Sequence, residues 1–205
     1  MKSTKHIKPA KLRIIGGTMR GRTVTYHGEE FTRPMKDNIR ENLFNILGRA
    51  IKGAIAFDLF SGTGALGFES ISRGASSAVL VEQNRMAGRQ ITKTAESLEI
   101  QSKIKLIHSD TFRVAETLLG PPAQDTPWVV FLCPPYVLWE EELDRLNQII
   151  RAGLSNAPPG SVIMAETEKS FDTDRLPAGP WDFRSYGKTT LGFIEPANRC
   201  GLVLD

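Results

Sequence analysis

From residue 54 onward, short and almost wholly apolar runs alternate with stretches whose apolar residues recur every three or four positions. Runs covered on both faces read as parallel strands, and the longer period reads as amphipathic helix. The pattern predicts strands at 54–60, 77–82, 103–109, 128–133 and 161–167. Helices are predicted near 65–73, 84–98, 111–119 and 139–153. After Pro180 the rhythm changes to two strand-like runs around Gly187, the mark of an antiparallel hairpin that closes the sheet. Ahead of the sheet, two β-prone runs within 12–26 flank a Gly-rich turn. Ile39, Leu43, Ile46, Leu47 and Ala50 then mark a helix over 36–51. The expected fold is α/β, a doubly wound seven-stranded sheet with a reversed final hairpin, preceded by a small β-hairpin and helix. Residues 1–51 are expected to form an extension, and 52–205 the main domain.

Composition changes this picture little. The chain has 205 residues, 40% hydrophobic and 24% charged, which fits one domain with a small appendage. A chain of this length buries about 70% of its unfolded surface without staples. No apolar run is long enough to span a membrane, and residues 1–10 are lysine-rich without an apolar segment, so a cytoplasmic location is expected. A monomer is expected as well, although no sequence pattern bears on it. Cys133 and Cys200 fit neither a disulfide framework nor a zinc cluster, and His6, His27 and His108 are scattered, so no metal site is expected. Charge is more informative. The net charge is +3, yet residues 1–40 hold ten Lys or Arg against three acids, and the remainder sixteen against twenty. Positive potential concentrated at one end suits either a solvated tail or a polyanion partner.

The first core strand runs into Asp58-Leu-Phe-Ser61-Gly62-Thr63-Gly64-Ala-Leu-Gly67 and then directly into a helix. Glycines at this spacing permit a tight turn and close approach of backbone to a ligand. Glu82 ends the next strand, where it can bond two ribose hydroxyls, and Asp110 follows the third, within reach of an adenine amino group. Spacing alone also admits a dinucleotide, since Glu82 lies 20 residues after Gly62. A carboxylate at Asp58 repels a pyrophosphate but suits the ammonium and sulfonium charges of S-adenosyl-L-methionine, which is the cofactor favoured. The candidate cofactor residues are Asp58, Ser61, Gly62, Thr63, Gly64, Glu82 and Asp110.

The fourth strand ends in Cys133-Pro134-Pro135-Tyr136, and two prolines force the chain out of the sheet at its carboxyl edge. The tetrapeptide resembles the Asp/Asn-Pro-Pro-Phe/Tyr motif of methyltransferases that modify exocyclic amino groups. The resemblance extends through Arg13-Ile-Ile-Gly-Gly, Arg20-Gly-Arg22, Arg33-Pro34, Arg40-Glu41-Asn-Leu-Phe-Asn45, the Asp58–Gly67 loop, Ser72-Arg73-Gly74-Ala75, Val81-Glu82 and Tyr186-Gly187-Lys-Thr-Thr-Leu-Gly-Phe193. Together these are similar to the bacterial 16S rRNA (guanine-N2)-methyltransferase family. That resemblance implies a class I, Rossmann-like S-adenosylmethionine-dependent methyltransferase acting on one guanine amino group of 16S ribosomal RNA or a small-subunit assembly particle. It implies that Cys133 and Pro134 accept hydrogen bonds from the amine, that Pro135 shapes the turn, and that Tyr136 stacks on the base. Arg13, Arg20, Arg22, Arg33 and Arg40 are the candidate RNA contacts. Cys133 departs from the family pattern, because a thiol is a weak acceptor. Two alternatives therefore stay open: a cofactor-binding assembly factor with weakened catalysis, and a pyrimidine-carbon methyltransferase using Cys133 as nucleophile.

Overall fold

The computed structural model describes residues 11–25 and 34–196. The basic residues before Lys11, Arg33 and Cys200 lie outside the described residues. Strands β1 (Lys11–Arg13) and β2 (Thr23–Thr25) pair antiparallel as a separate hairpin. Helix α1 (Asp37–Leu47) follows and gives way to a 3-10 turn at Gly48–Ile51, one turn short of the helix expected over 36–51. Gly48 breaks it by adopting φ +48.

The chain then alternates β3 (Ile55–Asp58), α2 (Ala65–Ser72), β4 (Ser77–Val81), α3 (Arg85–Ser97), β5 (Ile104–Ile107), α4 (Thr111–Leu118) and β6 (Trp128–Leu132). The single helix expected over 139–153 is two, α5 (Leu138–Glu141) and α6 (Leu143–Asn156), with Glu142 at φ −130 between them. The break lets α5 turn Trp139 inward. Its indole donates to the Glu166 backbone carbonyl at 2.8 Å and packs on Phe171. Strands β7 (Val162–Glu168), β8 (Asp182–Tyr186) and β9 (Thr189–Ile194) complete the sheet.

Seven strands lie in the order β5-β4-β3-β6-β7-β9-β8. The first five are mutually parallel, and β9 runs antiparallel to both of its neighbours. This is the doubly wound sheet with a reversed hairpin that the hydrophobic pattern predicts. Each face carries its own apolar core. On one face, Ile14 of the hairpin and Leu43 and Phe44 of α1 pack with Ala56, Phe131 and Met164 of the sheet. On the other, Leu59, Val130 and Leu132 pack with Trp139, Leu146 and Ile150.

Polar contacts lock the hairpin to α2. Glu69 is fully buried and accepts the backbone N–H groups of Ile15 at 2.7 Å and Gly16 at 2.8 Å, while its ion pair with Arg73 is 2.7 Å long. Ser72 accepts the Met19 N–H on its hydroxyl and the Thr18 N–H on its carbonyl. Gly17 has no room for a side chain, since a Cβ there would stand 1.9 Å from the Ser72 carbonyl oxygen. Arg40 is also interior, at 1% exposure, in contrast to its expected place against RNA. Its guanidinium donates to the Arg13 carbonyl at 2.7 Å, to Asp37 at 3.0 Å and to the Met35 carbonyl at 3.3 Å. The helical period marked Ile39 and Leu43 as inward but gave no sign that Arg40 joins them.

Candidate active site

The strand order reverses between β3 and β6, and in such sheets the ligand crevice opens at the carboxyl ends on either side of that point. Asp58 ends β3 and Cys133 follows β6 directly. Asp58 pairs with Phe131 in register, so Cys133, two residues beyond Phe131, falls on the same face as Asp58.

On the β3–β4 side the loop is held by its own backbone. The Ser61 hydroxyl donates to the Asp58 carbonyl at 2.7 Å, the Gly64 N–H to Ser61 at 2.7 Å, and the Ser61 N–H to Val81 at 3.0 Å. Gly62 and Gly64 take φ +52 and +75, values that favour glycine. Gly67 serves packing: a Cβ there would lie 2.7 Å from Leu80, so its absence lets α2 settle on β4. Helix α2 starts at Gly64 without a side-chain cap, which leaves its positive dipole end facing the loop. Ser61 and Thr63 are both buried within this turn.

Glu82 fixes the loop from the next strand end, accepting the Gly62 N–H and the Asn84 N–H, each at 2.7 Å. Burial pushes its carboxyl group above the ordinary value, against the lowering effect of those hydrogen bonds. Asp58 lies beneath the loop, 1% exposed, with the Gly67 N–H at 3.3 Å. Burial raises its pKa from 3.8 to about 7, with Glu82's charge adding to the rise and the Gly67 hydrogen bond opposing it. Two carboxyl groups held partly against ionisation are a good setting for a cationic ligand, which would favour their charged forms. Neither suits a pyrophosphate. Asp110 accepts the Phe112 N–H at 3.0 Å and so caps α4 at the edge of the same crevice.

On the β6–β7 side, Pro134 is buried and Pro135 exposed. The half-buried Tyr136 donates its hydroxyl to Glu166 at 3.1 Å and lies 2.9 Å from the Thr189 hydroxyl. The register of β6 on β7, carried one residue beyond Leu132 and Ala165, sets Cys133 beside Glu166. Burial pushes this thiol well above its ordinary value, and the charges of Glu166 and Asp58 push it further. A nucleophilic cysteine needs the opposite shift. Glu166 was not a candidate from sequence. Only the pairing of β6 with β7 brings it here, and no local motif marks it.

The remaining candidates sit around the hairpin. Arg20 and Arg22 are exposed, with Arg22 donating to the Ser97 carbonyl at 2.8 Å. Arg13 is 70% exposed in its ion pair with Asp37. Among the described residues no His, Cys, Asp or Glu cluster could hold a metal, and no helix is long and apolar enough to cross a membrane.

A doubly wound sheet in this order, with acids at successive strand ends around a glycine loop, defines a class I S-adenosylmethionine-dependent methyltransferase fold. The family model described as "Conserved hypothetical protein 95" matches residues 12–195. Ribosomal RNA small subunit methyltransferase D of Escherichia coli (strain K12) is 35% identical over 149 residues, 72% of each chain. The putative rRNA methyltransferase YlbH of Bacillus subtilis (strain 168) is 30% identical over 140 residues, 68% of this chain and 73% of that one. A solved structure titled putative methyltransferase yhhF from Escherichia coli superimposes with a TM-score of 0.69 at 27% identity, covering 90% of this chain and 97% of that one. The chain belongs to this family of small-subunit ribosomal RNA methyltransferases, as its motifs suggest.

Proposed function

We propose that this protein transfers a methyl group from S-adenosylmethionine to the exocyclic N2 amino group of a guanine in 16S ribosomal RNA. The crevice carries the reading. Carboxyl groups suited to a cationic adenosyl ligand stand on one side, and a Pro-Pro-Tyr strand end suited to a planar base stands on the other. The names of the family's curated members support ribosomal RNA as substrate.

When bound, S-adenosylmethionine supplies an electrophilic methyl group. The loop Ser61–Gly64 and the start of α2 receive its amino-acid end, with Asp58 as the carboxylate beneath them. Glu82 takes the ribose hydroxyls, and Asp110 stands near the adenine. An everted guanine stacks on Tyr136, whose hydroxyl contacts to Glu166 and Thr189 fix the ring, and the Pro134 carbonyl orients the amine. Proximity and alignment then supply much of the acceleration.

Residues 1–51 act as the RNA-binding extension beside the catalytic unit of 52–205. Arg13, Arg20 and Arg22 meet phosphates, and Arg33 belongs with them by its place in the sequence. Arg40 acts through the hairpin it holds. The protein works as a monomer in the cytoplasm, where the small subunit assembles. The raised thiol disfavours the pyrimidine-carbon alternative, because that reaction starts from a thiolate. Mass spectrometry of 16S RNA from a strain lacking the gene tests the assignment. Loss of one N2-methylguanosine is expected, and an unchanged modification profile would remove it.

A further inference from the structure

Leu132 of β6 lies opposite Ala165 of β7 in a parallel pair, and the same register carried one residue further sets Cys133 beside Glu166. Neighbours so paired point to the same face, so the two side chains meet where β6 leaves the sheet. The tetrapeptide meets this carboxyl group from two sides: Cys133 stands beside it across the strand pair, and the Tyr136 hydroxyl donates to its Oε1 at 3.1 Å. An ionised carboxylate is acceptor-only and has capacity for about four hydrogen bonds, whereas a thiol accepts weakly. The lone pair of an aromatic amine is delocalised into its ring. An acceptor on its N–H groups localises that pair for attack on a methyl carbon, and Cys133 is poorly equipped to be that acceptor.

We propose that Glu166 is the catalytic acceptor for the target amino group, filling from β7 the role that Cys133 leaves vacant at the end of β6. The proposal rests on the reading of this protein as a guanine-N2 methyltransferase. In the step it serves, the N2 nitrogen forms its bond to the methyl carbon as the carbon–sulfur bond breaks. The electron pair of that bond leaves with sulfur, and one N2 proton passes to the Glu166 carboxylate and then to water. The hydroxyl of Tyr136 holds the carboxylate in place.

The test is single-turnover transfer to 16S RNA, with the product read by nucleoside mass spectrometry. It compares wild type, Glu166→Ala, Glu166→Gln, Cys133→Asp and the double variant Glu166→Ala/Cys133→Asp. Cofactor affinity by calorimetry and the melting temperature are measured for each. Glu166→Ala should lose about 100-fold or more in rate, the range for a positioned acid–base group. Its cofactor affinity should stay within about twofold of wild type, a factor worth only ~0.4 kcal/mol. Glu166→Gln keeps an acceptor oxygen but cannot take the proton, so it should fall between. The double variant should regain about tenfold or more over Glu166→Ala, since a carboxylate returns on the neighbouring strand. A folded Glu166→Ala that makes N2-methylguanosine at the wild-type rate overturns the proposal and leaves the guanine reading standing. So does a double variant that melts like wild type yet regains nothing. A wild-type product on another position of the RNA overturns the guanine reading, and this inference with it.

Discussion

On the β3–β4 side of the crevice most contacts run to main-chain groups, whereas on the β6–β7 side they run between side chains. Glu82 holds two backbone N–H groups, and Asp58 holds a third. Across the crevice, Glu166 receives the Tyr136 hydroxyl, which also lies 2.9 Å from the Thr189 hydroxyl. The first side depends on backbone conformations that glycine alone supplies cheaply, so it tolerates little change. The second can exchange one side chain for another provided an acceptor remains. A cysteine in the tetrapeptide is compatible with such a site.

The contrast breaks most visibly at Gly64. Its φ of +75, and a Cβ position 2.9 Å from Phe68, make Gly64→Ala both strained and overpacked. A loss of about 2–4 kcal/mol is expected. That should lower the melting temperature by roughly 5–15 °C and weaken cofactor binding. A variant that melts like wild type would mean the loop is softer than its geometry implies.

Next in size, Glu82→Ala should weaken S-adenosylmethionine binding by about 1.5–3 kcal/mol, the range for charge-assisted hydrogen bonds. Calorimetry showing unchanged affinity would remove Glu82 from the ribose position.

Asp58 gives the same side a pH signature. Its carboxyl group titrates at about 7 in the folded chain against an ordinary 3.8, so folding takes up a proton between these values. The stability this contributes is whole below the ordinary value and is lost as pH rises through about 7. A cationic ligand prefers the charged carboxylate, so cofactor affinity should run the other way. It should rise by up to about tenfold per pH unit below the folded value, with proton release, and level off above it. Titrations in buffers of different ionisation enthalpy measure the released proton. Asp58→Asn should flatten the dependence, and a pH-independent wild-type affinity would place the cofactor's cationic end elsewhere.

Smaller effects are expected at the hairpin. Replacing Arg20 and Arg22 with Ala should reduce the salt dependence of RNA binding by up to about two charge units while leaving cofactor affinity constant. Arg40→Ala should instead cost about 1–3 kcal/mol of stability by orphaning the Arg13 carbonyl, with the salt slope of the folded protein unchanged. A slope that shifts with Arg40 and stays fixed with Arg20 and Arg22 would reverse their roles.

The smallest change is expected on the tolerant side. Cys133→Ala should alter single-turnover transfer by less than about threefold, because only a weak acceptor is lost. Cys133→Asn should preserve the rate or raise it by up to about tenfold, equivalent to ~1.4 kcal/mol. Complete loss in Cys133→Ala would return the thiol to the centre of the chemistry.

The unequal build of the two sides also explains what could be read from the chain. The parallel strands, the final hairpin and the glycine loop are local patterns, visible as apolar runs, turn residues and spacing. Asp58 and Glu82 stand beside those patterns at strand ends and could be found with them. Glu166 could not, because its place depends on the register of β6 against β7, which joins residues over 30 positions apart. The interior place of Arg40 was hidden for a related reason. Helical period identifies an apolar face, whereas a buried arginine is identified only by the carbonyl it meets, here Arg13, 27 residues away. The break at Glu142 was missed because the acidic run reads as continuous helix until Trp139 turns in toward the Glu166 carbonyl.

Glu69 limits how this sequence can drift. Two of its three partners are the backbone N–H groups of Ile15 and Gly16, which only a change to proline can delete. An ordinary ion pair can be lost by changing both members to apolar residues, but here the far side of the bargain is written in main chain. Ile15 can change to residues other than proline without releasing Glu69, whereas Gly16 is held small by the Arg73 guanidinium, 2.5 Å from where a Cβ would stand, and Glu69 cannot change without stranding both N–H groups. A saturation library over the hairpin and α2 should therefore recover varied residues other than proline at position 15, but little besides glycine at position 16 and glutamate at position 69.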